Sequence, residues 1–117
     1  MKHVAACLLS IVPIVALAEA PTVEHAAARQ VGGKWRFDVT VAHPDTGWEH
    51  FSDAWRVIDG AGNELALRVL HHPHEDEQPF TRSLSGVTIP DGITEVFVEA
   101  RCSVDGWSGR LYRLKLR

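Results

Sequence analysis

Residues 71–77, His71-His72-Pro73-His74-Glu75-Asp76-Glu77, set three imidazoles and three carboxylates side by side. Neutral imidazole and carboxylate are ligand types for Cu, Zn, Ni and Fe. His72-Pro73-His74 is an H-x-H pair, which chelates when both rings face one way. The predicted metal set is therefore His72 and His74, with His71, His43 or His50 completing it, and copper or zinc suits such a set. The plainer reading is a solvated polar loop whose histidines cap backbone groups, since the spacing matches no strict zinc signature.

Other groups carry chemistry less directly. Cys102 falls on the apolar phase of its segment, where a free cysteine acts as a small hydrophobe, or else as a thiolate ligand close to a loop. Trp48, Phe51 and Trp107 lie in loop segments and suit either closing one end of a fold or contacting a sugar or a partner protein, with Trp48 and Trp107 as the contact residues. Arg82 is placed to pair with Glu75, Asp76 or Glu77. No G-x-S-x-G or other nucleophile motif occurs, and the glycines form no phosphate loop. The sequence therefore leans away from an enzyme.

The elements that must position these groups read as strands. Trp35, Phe37, Val39 and Val41 alternate with polar neighbours, as in a half-buried antiparallel strand. Val96, Val98, Ala100, Cys102 and Val104 do the same, as do Leu65, Leu67 and Val69, and Tyr112, Leu114 and Leu116. Residues 55–58 form a shorter run. Residues 80–89 form another whose apolar phase shifts at Gly86, which predicts a bulge. Residues 23–30 supply a first strand. No helical period appears. The expected fold is all-β: a single seven-stranded antiparallel β-sandwich. Three connections are compact, at Gly32-Gly33, 59–63 and Pro90-Asp91-Gly92. Three are longer, at 44–52, 73–79 and 105–109. If the strands run up and down, the long loops share one end. His43, His50, His71, His72, His74, Asp105 and Trp107 then gather there.

Bulk properties set the compartment and exclude partners. Lys2 and His3 precede an apolar run over 4–18 that ends in Ala16-Leu17-Ala18, the pattern of a secretory signal peptide. The expected organisation is a signal peptide over 1–18 and a β-sandwich domain over 19–117, in a periplasmic or secreted protein with no membrane insertion after signal removal. Cleavage after Ala18 discards Cys7 and leaves Cys102 alone, which excludes an intramolecular disulfide. The formal net charge of −3 argues against nucleic acid as a partner. A metal ion or another exported protein remains, with no oligomeric state indicated.

Across the mature segment the strand pattern resembles an immunoglobulin or fibronectin type III domain in architecture, without the immunoglobulin Cys…Trp…Cys signature. A second, partial resemblance rests on His43-Pro44, Glu49-His50 and Cys102-Ser103-Val104-Asp105-Gly106. These look like the iron-site motifs of superoxide reductase, HP-x-x-x-x-H and C-N-x-H-G. That resemblance implies a mononuclear iron redox protein with His25, His43 and His50 equatorial and Cys102 axial. Asp105 stands where the family carries a ligand histidine, Ser103 replaces its asparagine, and the histidine pair is one residue further apart. The leading expectation is a small exported copper or zinc carrier or accessory protein. The rivals are a non-catalytic protein- or carbohydrate-interaction module and the iron protein.

Overall fold

A computed structural model describes residues 20–117. The expected signal peptide over 1–18, its cleavage point and Cys7 lie outside the described residues. Within them the chain is all-β, with no helix. The strands are β1 (Thr22–Val31), β2 (Lys34–Ala42), β3 (Ser52–Ile58), β4 (Glu64–Val69), β5 (Phe80–Val87), β6 (Glu95–Cys102), β7 (Gly106–Trp107) and β8 (Tyr112–Lys115). One sheet has the order β1-β2-β5; the other runs β4-β3-β6, with β7 and β8 both paired to β6. All pairings are antiparallel.

The strands number eight, not seven, because the last one is broken. Gly106 and Trp107 pair with Cys102 and Arg101, whereas Tyr112–Lys115 pair with Val98–Glu95. Between them the chain leaves the β6 edge, with Gly109 at φ 75°. The β6–β7 turn is a three-residue connection, 103–105, closed by Gly106 at φ 82°. A residue at positive φ after three linking residues is a standard hairpin solution, and glycine adopts it without strain.

Alternation puts Phe37, Val39 and Val41 of β2 opposite Trp55 and Val57 of β3 and Val96, Val98 and Ala100 of β6, all fully buried. Trp35 and Cys102 are also buried, and Leu114 and Leu116 pack against this core from its margin. The bulge expected at Gly86 is present. Trp35 and Phe37 pair with Val87 and Leu84, so β5 carries one residue more than β2, and Gly86 takes φ 71°.

Two strand expectations need correction. On β4 the leucine-valine stripe faces outward: Leu67 and Val69 are each 44% exposed. Val57 pairs with Ala66 but Ile58 with Glu64, so β4 gains a residue at Leu65. A one-residue slip exchanges the faces of a strand. It places Ala66 on the core and turns Arg68 inward, where its Nε donates to the Ser83 carbonyl at 2.9 Å. Val104 is also exposed, since β6 ends at Cys102.

Because successive strands alternate in direction, the 43–51, 70–79 and 103–105 connections meet at one end. Hydrogen bonds join them. Ser103 N donates to Phe51 O at 2.8 Å, and Phe51 N to Ser103 Oγ at 3.1 Å. Gln78 clasps the other side: its Oε1 accepts from His43 N at 2.9 Å and its Nε2 donates to His74 O at 2.8 Å.

Candidate metal centre

His43 follows directly after β2, and Cys102 is the last residue of β6, so both sit where a rigid sheet hands over to a loop. His50 lies just before β3. The loop between the histidines folds back on itself. Thr46 N donates to His50 O at 3.0 Å, and His50 N to Gly47 O at 3.1 Å. Gly47 holds φ 137°, a backbone conformation that L side chains rarely adopt, so the turn favours glycine. This small bridge absorbs the long spacing and returns the His50 ring to within 4.9 Å of the His43 ring, centroid to centroid, nearly perpendicular at 87°.

The outcome is a convergence of three ligand-type groups. One ligand atom each from His43, His50 and Cys102 lies within 4.8 Å of the other two, with His43 and Cys102 buried. Bonds of about 2.0–2.3 Å would set neighbouring ligand atoms about 3.3–3.9 Å apart, so an ion requires the three to draw in by about 1 Å.

Asp45 orients the set, and the sequence reading did not single it out. Its carboxylate accepts from His43 Nδ1 at 2.6 Å and Ser52 N at 3.0 Å through Oδ1, and from His74 N at 2.8 Å through Oδ2. Both the His43 and Asp45 side chains are fully buried. A buried carboxylate is tolerable only when its oxygens are satisfied, as here. With the Nδ1–H donated to Asp45, the His43 lone pair sits on Nε2, which is buried and has no hydrogen-bond partner among the described residues. A carboxylate behind an imidazole with its other nitrogen open is how ligand histidines are held. The available signal was the His43-x-Asp45 spacing in a loop already rich in histidine. Asp105 approaches from the hairpin turn, its Oδ2 4.0 Å from Cys102 Sγ.

The other candidates are placed as follows. His74 is buried; its ring stacks on Phe80 with centroids 4.0 Å apart and planes 11° from parallel. The His72 ring lies 4.7 Å from it, and His71 is exposed. These three do not join the His43–His50–Cys102 group. Burial holds the His74 pKa below the ordinary histidine value, and the charges of Arg82 and His72 push it the same way. Arg82 pairs with Glu77 at 3.1 Å, which holds that carboxyl below its usual range. His25 is exposed on β1, facing Tyr112 with ring centroids 6.3 Å apart, and is not among the converging group. Trp48 is 69% exposed and edge-on to Phe51. Trp107 instead lies under the Arg56 guanidinium at 3.9 Å, on the outer face of its sheet. Arg56 in turn grips the buried Glu99 at 2.8 Å.

No family model matches the chain, and no solved structure does, so neither the immunoglobulin-type nor the superoxide reductase resemblance gains a relative. The chain is similar to a curated protein named "Putative lipoprotein" from Halomicrobium mukohataei, 36% identical over 89 residues, or 76% of this chain. The match covers 41% of that protein, so the chain spans about two fifths of its length.

Proposed function

We propose that this chain is an exported carrier or accessory protein that holds one transition-metal ion between His43, His50 and Cys102. The observation carrying the reading is their convergence at one sandwich end with His43 anchored on the buried Asp45. Two imidazoles and a thiolate favour copper or zinc. Asp45 keeps the His43 lone pair at Nε2, and burial keeps water from competing at Cys102. Asp105 Oδ2 lies 4.0 Å from the sulfur. Export is supported by the signal-like residues 1–18 and by the lipoprotein name of the similar protein. The arrangement of three strands against β4-β3-β6 with a divided final strand supports an immunoglobulin or fibronectin III type of sandwich.

One observation favours the iron reading as well. His43, His50 and Cys102 are three of the four residues that the superoxide reductase resemblance selects. The fourth, His25, faces Tyr112 instead, and Asp105 occupies a ligand-histidine position.

Elemental analysis of purified protein, followed by titration with Cu(I) and Zn(II), tests the proposal. Wild type should carry or take up close to one equivalent. Cys102→Ser should lose at least about two orders of magnitude in affinity, since the thiolate is the strongest donor of the set. Equal uptake by wild type and Cys102→Ser, or none by either, refutes it. The interaction module using Trp48 then becomes the better account. Iron as the bound element would decide for the third reading.

A further inference from the structure

We propose a second metal site at His72 and His74, chemically distinct from the thiolate site: a nitrogen-oxygen site for a tetragonal divalent ion, Cu(II) or Ni(II). It goes beyond the interior centre, and either site can fail without the other.

Four observations meet at this pair. First, His74 is 7% exposed, and neither ring nitrogen has a hydrogen-bond partner among the described residues. A buried imidazole with two unanswered nitrogens costs free energy that a bound ion would offset. Second, His74 is held at both backbone ends, its N–H by Asp45 Oδ2 and its carbonyl by Gln78 Nε2, each at 2.8 Å. Phe80 covers one ring face at 4.0 Å. The imidazole is therefore set in place before any ligand arrives, as a good site requires. Third, the His72 ring lies 4.7 Å away, tilted by 40°. An imidazole bound at about 2.0–2.1 Å has its ring centre about 3.2 Å from the ion, so two rings aimed at one ion with centres 4.7 Å apart subtend about 95°. That is a cis angle of square-planar or tetragonal coordination, the preference of Cu(II) and Ni(II), and tighter than a tetrahedral one. Fourth, His72 Nδ1 contacts the Pro73 carbonyl at 3.3 Å, which leaves Nε2 as its ligand atom, the usual disposition of a backbone-oriented histidine. Glu75 and Asp76 follow directly in the chain and are exposed, and the remaining positions fall to water. Glu77 is already engaged by Arg82.

The two sites differ in character. The interior one offers a thiolate and favours a soft ion. The outer one offers two imidazoles, the exposed His72 beside the buried His74, and favours a divalent ion such as Cu(II) or Ni(II). Both touch Asp45, through His43 Nδ1 and through the His74 backbone.

The test uses Cu(II) with the purified full chain carrying Cys102→Ser and His50→Ala, which removes the interior site. Isothermal titration and electron paramagnetic resonance should then show a tetragonal Cu(II) species with two coupled nitrogens. Adding His72→Ala and His74→Phe should weaken that binding at least ten-fold and remove the paired-nitrogen hyperfine pattern. Phenylalanine keeps the ring stacked on Phe80, so the fold is retained. No Cu(II) bound by the first variant, or a loss below ten-fold in the second, overturns the proposal. If Cys102→Ser/His50→Ala does not fold, the same pair of changes in the otherwise wild-type chain gives the answer. One equivalent of Ni(II) fewer supports the site, and an unchanged count overturns it.

Discussion

Asp45→Asn is the most revealing single change, because one carboxylate answers donors from three parts of the chain. His43 Nδ1 and Ser52 N both use Oδ1, and His74 N uses Oδ2. Asparagine keeps one acceptor oxygen. Placed toward His43 and Ser52, it turns its amide N–H₂ against the His74 N–H, donor facing donor. One buried hydrogen bond is lost and its donor left unanswered, a cost of about 1–3 kcal/mol, and the two remaining bonds lose their ionic component. A net loss of about 2–3 kcal/mol follows. In a domain of this size that lowers Tm by about 8–24 °C. The change should also cost about 10–100-fold in metal affinity, because a neutral amide behind Nδ1–H, unlike a carboxylate, does not raise the basicity of His43 Nε2. Urea denaturation of metal-free protein and competitive metal titration measure the two effects separately. Wild-type stability would refute the hub. A full stability loss with wild-type metal affinity would show that Asp45 braces the loops without orienting a ligand.

His74→Phe should flatten acid sensitivity. The folded His74 pKa lies below 6.5 through burial and the Arg82 and His72 charges. The unfolded chain therefore binds a proton first, so stability from neutral His74 is fully present above about pH 6.5 and falls as pH drops through the folded value. Wild type should lose stability as the pH drops below about 6.5, and the variant distinctly less, by denaturation midpoints measured across a pH series. Leu67→Ser should stay within about 0.5 kcal/mol of wild type because the side chain faces solvent, whereas Phe37→Ala should cost about 3–5 kcal/mol as a core truncation. Comparable losses from the two would restore the opposite phase for β4. Gly47→Ala should destabilise the His43–His50 loop, since alanine is strained at φ 137° and its Cβ meets Glu49. Its signature is faster amide exchange at His50, whose N–H closes that turn.

What the sequence by itself determined was the local part of the structure. Side-chain alternation is a property of a few consecutive residues, so β2 and β6 were legible with their buried faces, from Phe37 and Val39 to Val98 and Cys102. The Gly86 bulge was legible because a phase shift coincided with a residue suited to it. The ends at which loops gather followed from strand alternation alone. Register was not legible: β4 reads as a regular stripe, and only pairing with β3 shows the extra residue at Leu65 that turns Leu67 and Val69 outward. Nor does a linear pattern reveal which side chains meet. The run at 71–77 is the densest in ligand-type residues, yet the ligand group that converges among the described residues joins His43 and His50 to Cys102, over fifty residues away in sequence. It exists because β3 and β6 are hydrogen-bonded neighbours, with Ser52 opposite Cys102. Asp45 gains its role only when its own loop, the start of β3 and the 70–79 loop bring their donors to one buried point. Chemistry at this end is long-range, and the tertiary structure decided it because burial and antiparallel pairing, not local spacing, set those distances.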